Sequence, residues 1–588
     1  LTRLAASLLR IFHALAIAVV TTGCAFSSGA QEAQPPAKQS TPAPTEKNAA
    51  QIELLETKYR FESNGDSRKE VHTRVRINNE LGARQFARLN FDFNRSFQSV
   101  EIPFVRVTHA SGGTADILPS AITDNPNPAV VDYPAYHDVR VKSVRILGLQ
   151  PDDLLEYRVI TTTTHHPLAP DFWLDHSFDR SGVVSHEIFE LELPLFGKAK
   201  VQINPATPPA SVDKPGDEQS GTTYRWDFRG LVAEPAENND VPDVLASTFE
   251  DWEHLSQRLG AALIPFEGPL DVVGTPEELH KRAREREAAL RSDVIATKAN
   301  ELTKALTTDD DKIRAVSQKI TTVDLQLGAT QFAPRAPAAI LSSGYAAPED
   351  KYILFASIAG VANLRTWPVL IGPCARNSLA TPSNLGHLGI IAHIHNSRVW
   401  LDPALEVAPF GLIQPGVGKC GIVLSKIYYE SESKSGPWVE TPATSPFPAV
   451  QKVTSRTTLA SNGDLRANVH YSVRGYNELL LRVAFHKTPK EKWKDVAQML
   501  ALSDGFRGQI TDVTASDPYA TKEPFTVEYE ISQPKFVDWS KKTVRIPAIL
   551  PLPGLPDPPT ATQIESKKPI ELGTPLAIDL EATIDLPA

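Results

Sequence analysis

Gly344-Tyr345-Ala346-Ala347-Pro348-Glu349-Asp350-Lys351 runs straight into an apolar stretch from Tyr352 to Leu364, and this passage decides how the centre of the chain folds. Pro348 suits the first position of a helix, where its missing N–H would go unpaired in any case. Glu349 and Asp350 then sit at the positive end of the helix dipole. Ile353, Leu354, Phe355, Ile358, Ala359 and Val361 make the helix apolar nearly all round, which predicts burial. Beyond it, Trp367 to Ile371, Leu388 to Ile394 and Arg398 to Leu401 read as strands of a sheet packed on that helix. His387 precedes the second strand, and Trp400-Leu401-Asp402-Pro403 closes the third.

In this order the passage resembles the transglutaminase-like module of the papain-type cysteine enzymes. There the signature Gly-Tyr-Gly-Asp-Cys-Lys-Asp-Lys heads a buried helix, with a catalytic His on one strand and an Asp on the next. The resemblance puts His387 on the family's His and Asp402 on its Asp, and Asp350-Lys351 on the Asp-Lys after the nucleophile. The nucleophile position holds Pro348, and Ala346-Ala347 replace the preceding Gly-Asp. The family's reaction needs a thiolate, its pKa lowered by the helix N-terminus and a neighbouring His. Proline supplies no nucleophilic atom. The scaffold and two members of the triad are therefore expected to remain while the reaction is lost. His387 would have been the general base, oriented by Asp402, and without a nucleophile the two fit a structural hydrogen-bonded pair. Ser342, Ser343 and Tyr345 before the helix and Cys374 in the Gly372-Pro373-Cys374-Ala375 loop are the candidate replacements. No helix N-terminus is aimed at Cys374, which reads better as buried or disulfide-bonded.

The two ends of the chain have another character. Arg3 and Arg10 flank an apolar run from Ala14 to Val20, too short for a membrane span, so residues 1–30 read as a signal peptide. Val20-Thr21-Thr22-Gly23-Cys24 is a loose lipobox that would leave Cys24 lipidated, while Ser28-Gly29-Ala30 offers an ordinary cleavage site. Either makes the protein exported, as a soluble periplasmic protein or an outer-membrane lipoprotein, with Cys24 its one link to a membrane. Residues 31–50, rich in Pro, Gln, Ala, Ser and Thr, read as a disordered linker. The start at Leu1 and the strand-like end at Thr583 to Ala588 suggest a fragment or a non-ATG start. Cys374 and Cys420 remain in the mature chain, either paired in an oxidising compartment or as two separate thiols.

At 588 residues there is room for roughly three or four domains. The net charge of −10 argues against a nucleic-acid binder, which needs a basic face. From 51 to 240 short strands recur. Asn64-Gly65 is a hairpin signal, and Val71, Thr73, Val75 and Ile77 alternate with polar residues behind it. This segment predicts a twisted antiparallel β-sandwich and resembles the β-rich domain of unknown function that commonly precedes the transglutaminase-like module in exported bacterial proteins. His165, His166 and His176 could suggest a metal, but neighbouring strand residues face opposite ways, so a solvated loop edge is the better reading. Residues 241–424 hold a helical lead-in and the central module. Thr275-Pro276-Glu277-Glu278 opens one helix there, and Asp311 to Thr322 forms a second. His393 and His395 share a strand face without acidic or Cys partners at ligand spacing, so neither metal nor cofactor is expected.

Residues 425–588 read as a β-rich C-terminal domain interrupted by one helix, Lys490 to Leu502. Ser461-Asn462-Gly463-Asp464 repeats the turn of Ser63-Asn64-Gly65-Asp66. The fold class is α+β in three parts. The expected function is a non-catalytic envelope protein that binds or scaffolds a protein, peptide or glycan. The alternative is an active transglutaminase-like peptidase or acyltransferase, or a hydrolase with a displaced nucleophile.

Overall fold

The computed structural model describes residues 49–195, 198–213, 221–230, 242–263, 292–316, 320–330, 332–374, 376–394, 397–413, 420–424, 436–541, 564 and 575–587. The signal-peptide reading, residues 31–48 of the expected linker, Cys24, the Thr275 helix and His395 lie outside these residues, while Ala50, placed at the end of that linker, instead begins a strand. The described chain forms two compact units, 49–399 with 420–441, and 400–413 with 442–587. No helix among the described residues is long and apolar enough to cross a membrane.

The first unit opens on an eight-stranded sheet. Its strands run, edge to edge, Ser211–Asp213, Thr222–Arg229, His186–Leu193, Ala50–Phe61, Ser67–Ile77, Leu154–Thr163, Gln98–Thr108 and Thr114–Asp116. Period-two alternation buries Val75 and Ile77 on one face while Arg74 and Arg76 pair with Glu53 on the other. The Asn64-Gly65 turn forms as its sequence predicts. Gly65 takes φ +86°, open to residues without a Cβ, and the Asn64 side chain accepts from the Asp66 N–H at 3.0 Å. The sheet is mixed, however, rather than antiparallel, because Ala50–Phe61 pairs in parallel with His186–Leu193. A parallel pair needs a long crossover and leaves no local turn signal.

The same unit holds the central helix, Pro348–Val361. It packs against helices Asp293–Thr303 and Pro337–Ser343 and against strand Arg365–Gly372. That strand lies within a five-stranded sheet ordered Ser397–Leu401, His387–Ile394, Arg365–Gly372, Cys420–Val423, Trp438–Glu440. The helix expected over Asp311 to Thr322 instead spans Asp309–Val316, and Thr321–Thr322 is a strand pairing in parallel with Tyr345–Ala346. The run Ile320-Thr321-Thr322-Val323 is β-branched throughout, which favours the extended form.

In the second unit a five-stranded sheet runs Gln509–Ala515, Phe525–Gln533, Leu465–Arg474, Val450–Leu459, Ala577–Asp585. Two helices cover it, Tyr476–Lys487 and Trp493–Ser503, where one was expected. The first follows Gly475, and the Glu478 side chain reaches back to accept from the Gly475 N–H at 3.2 Å. Buried Arg482 pairs with Glu478 at 2.8 Å and donates to the carbonyls of Pro518, Ala520 and Glu523, so a charged helix face sits inside the unit.

Candidate functional site

The site is the N-terminus of the central helix. Gly344, at φ +75°, ends helix Pro337–Ser343 and turns the chain into Tyr345–Ala346. Ala347 is the extended N-cap and makes no side-chain cap, and Pro348 is the first helical residue. The end of this helix is therefore capped from outside.

The cap comes from the β-rich part of the same unit. Tyr136, 4% exposed, ends a short turn, Pro134–Tyr136, more than 200 residues earlier. Its hydroxyl accepts from the Ala347 N–H at 2.7 Å and from Arg335 Nη2 at 3.0 Å, and donates to Asp350 Oδ2 at 2.5 Å. One donated and two accepted bonds fill the capacity of a phenol. Burial first, and then the Asp350 carboxylate, push this phenol well above its ordinary pKa, so it stays a protonated donor. Asp350 also accepts from the Arg335 backbone N–H at 2.7 Å and from Arg335 Nε at 2.5 Å. Burial alone would lower the Arg335 pKa, but the bonds from Asp350 outweigh it and leave the guanidinium raised. Arg335 further donates to the Tyr345 carbonyl at 2.6 Å and lies over the Tyr136 and Tyr345 rings.

Glu349 faces inward, 1% exposed. Its Oε1 accepts from the Gly328 N–H at 2.7 Å, whereas buried Oε2 has no partner. Burial raises its pKa to about 7 despite the Gly328 bond. Lys351, also buried, donates to Thr322 Oγ1 at 2.5 Å. Of the candidate replacement nucleophiles, Ser342 is exposed near the end of helix Pro337–Ser343, and the other three are tied. Ser343 donates to the Ile340 carbonyl at 3.0 Å and accepts from Arg335 at 3.2 Å, and the Tyr345 hydroxyl accepts from the Ala135 N–H at 3.1 Å. Cys374 is bonded to Cys420 across the sheet, which decides between pairing and separate thiols.

His387 opens strand His387–Ile394, opposite Ile371. Asp402 belongs to the second unit, 7% exposed, with Oδ1 accepting from the Ala404 N–H at 3.1 Å. Glu406 fastens this segment within its unit by accepting from His486 at 3.0 Å and from the Tyr519 hydroxyl at 3.3 Å. His166 is not a solvated loop edge. It packs against Phe97, Trp173 and Phe332, accepts from the Leu168 N–H at 3.2 Å, and is lowered by burial to about 4. His176 stacks on Phe189 at 3.8 Å, and the His393 ring meets Trp367 edge-on.

Tyr136 and Arg335 were not singled out in the sequence. The one local trace was Arg335 held between Pro334 and Pro337, a charge placed by rigid backbone just before a buried helix.

Residues 63–234 match DUF3857, a domain of unknown function with a solved structure, so the expected β-rich domain is found in that segment. No curated protein matches the chain. Among solved structures, a "putative protease" from Parabacteroides distasonis is similar over 83% of this chain and 94% of its own, with TM-score 0.55 and 13% identity. At that identity the likeness extends to the fold alone. A "putative nutrient binding protein" from Legionella pneumophila covers 54% of this chain and 96% of its own at 10% identity, with TM-score 0.20. An M1 zinc metallopeptidase from Deinococcus radiodurans covers 34% and 42% at 10% identity, with TM-score 0.19.

Proposed function

We propose that this chain is an exported, non-catalytic envelope protein whose central part is a retired transglutaminase-like module, retained for binding or scaffolding. The observation that carries this reading is the helix end itself. Pro348 stands where the resembled enzymes hold their thiol, and Tyr136 closes the adjacent backbone N–H. An attacking group needs a free lone pair and an activating base or a lowered pKa, and the Tyr136, Arg335 and Asp350 groups beside Ala347 are already bonded to one another and to its N–H. Cys374 cannot take over while it is bonded to Cys420. The exported setting agrees with that bond, since disulfides persist in oxidising compartments. His387 and Asp402 are then remnants with a structural role.

A thiol-directed activity probe tests the reading, applied to the native protein and to Cys374→Ala and His387→Ala. No labelling beyond that of the Cys374→Ala control is expected. Labelling at Cys374 that depends on His387 would establish the alternative, an active cysteine peptidase or acyltransferase.

A further inference from the structure

Tyr136 belongs to a loop that closes on itself. Asn127 and Val139 meet at its neck, where the Asn127 N–H donates to the Val139 carbonyl at 3.0 Å. Beyond the neck every third residue bonds back. The Val130 N–H donates to the Asn127 carbonyl, Tyr133 to Val130 and Tyr136 to Tyr133, each at 2.9 Å. The Asn127 side chain accepts from the Ala129 N–H at 2.9 Å, and His137 Nε2 donates to the Val131 carbonyl at 3.1 Å. The neck is tied to the β-rich domain, Asn127 to Asp92 at 2.9 Å and Asp138 to Arg95 at 2.7 Å. A loop with its ends together and its own bonds inside can swing about its neck as one piece.

The loop meets the helix start through two groups. The Tyr136 hydroxyl accepts from the Ala347 N–H, and the Ala135 N–H donates to the Tyr345 hydroxyl at 3.1 Å. The Tyr133 and Tyr136 rings lie 5.0 and 5.8 Å from the Tyr345 ring, and Arg335 lies 4.7 Å from the centre of the Tyr136 ring. Val130, Val139, Val323 and Ala347 pack beneath them, while Val131, Asp132, Pro134 and Ala135 are exposed. The seat so formed is matched to one chemical group. It offers two donors, the Ala347 N–H and Arg335 Nη2, one acceptor, Asp350 Oδ2, and a cationic plane for a ring. A phenol meets all four. An aliphatic hydroxyl forgoes the ring, and a carboxylate, which only accepts, is repelled by Asp350.

We infer that the Asn127–Val139 loop is a displaceable strap, and that its seat is a recognition site for a tyrosyl side chain of a partner polypeptide. This gives the binding role proposed above, on which it rests, a partner chemistry and a gate. The strap supplies the pattern to be matched, Tyr133-Pro134-Ala135-Tyr136. Lifting it uncovers Val130 and the Tyr136 ring, so the closed form predominates in the free chain. A partner then binds more weakly by the fraction of time the strap is open.

The probe is a synthetic peptide with the sequence Val131–Asp138, capped at both ends, compared with the same peptide carrying Tyr136→Phe. Each is titrated into the full native chain and into the full chain carrying Tyr133→Ala and Tyr136→Ala, which empties the seat. The emptied chain is expected to bind the tyrosine peptide about tenfold more tightly than the native chain does, and to bind the phenylalanine peptide about tenfold more weakly than the tyrosine one. Hydrogen exchange on the native chain needs no variant to fold. The strap amides should exchange well before global unfolding, and a saturating tyrosine peptide should speed their exchange while the Ala347 amide stays protected. Equal binding of the two peptides, equal binding by the two chains, or no binding by a folded emptied chain overturns the inference. So do strap amides that exchange only with global unfolding, or whose exchange the peptide leaves unchanged. The thiol probe described above reports on the lost reaction alone, so its outcome and that of the peptide titration are read separately.

Discussion

Tyr136 holds the start of the central helix from a segment more than 200 residues away. Its hydroxyl satisfies the N-cap N–H that no side chain of Ala347 or Pro348 can reach, and it shares the Asp350 carboxylate with Arg335. Removing that oxygen leaves a buried N–H and part of a buried carboxylate unpaired, the expensive side of hydrogen-bond energetics. Tyr136→Phe is therefore expected to destabilise the first unit by about 1–3 kcal/mol, read from the urea midpoint at constant slope. Pro348→Ala, which keeps the helix start and touches none of these bonds, should move the midpoint far less.

The Asn-Gly turns belong to the hairpins as a whole. In the second hairpin Gly463 sits at φ +87°, and a Cβ there would lie 2.2 Å from the Val537 carbonyl oxygen. Backbone strain and a backbone clash act together, so Gly463→Ala should cost at least ~2 kcal/mol, measured by thermal or denaturant unfolding. These turns were legible because Asn-Gly fixes local dihedrals from a few adjacent residues, and the central helix was legible because Pro348 and its apolar run are contiguous. The parallel strand pair, the Cys374–Cys420 bond and the Tyr136 cap were not. Each joins residues separated by dozens to hundreds of positions, and nothing local in either partner names the other. Helix Tyr476–Lys487 escaped notice for another reason. Its inward face carries Glu478 and Arg482, which a hydrophobic pattern counts as outward.

Over the whole chain, each unit buries a carboxyl whose proton is held more firmly than in the unfolded state. Burial raises Glu349 to about 7 in the first unit, and Asp504, between the Tyr471 and Tyr529 hydroxyls, to about 6 in the second. A raised carboxyl binds its proton better when folded, so its contribution is complete below the ordinary carboxyl range and is lost as pH rises through the folded value. Stability of both units should accordingly fall between about pH 4 and pH 7, by roughly 3 kcal/mol at most for Glu349. Glu349→Gln should flatten that slope in the first unit, followed by denaturant unfolding at pH 5 and pH 8. A steeper slope in the variant would contradict the assignment.

The proposed loss of acyl-transfer chemistry is tested most directly by incubating the native protein with an acyl donor and reading its intact mass beside that of His387→Ala. The prediction is that the native protein gains no acyl adduct beyond those that His387→Ala also gains. An adduct on any side chain that forms in the native protein and disappears with His387→Ala would contradict it.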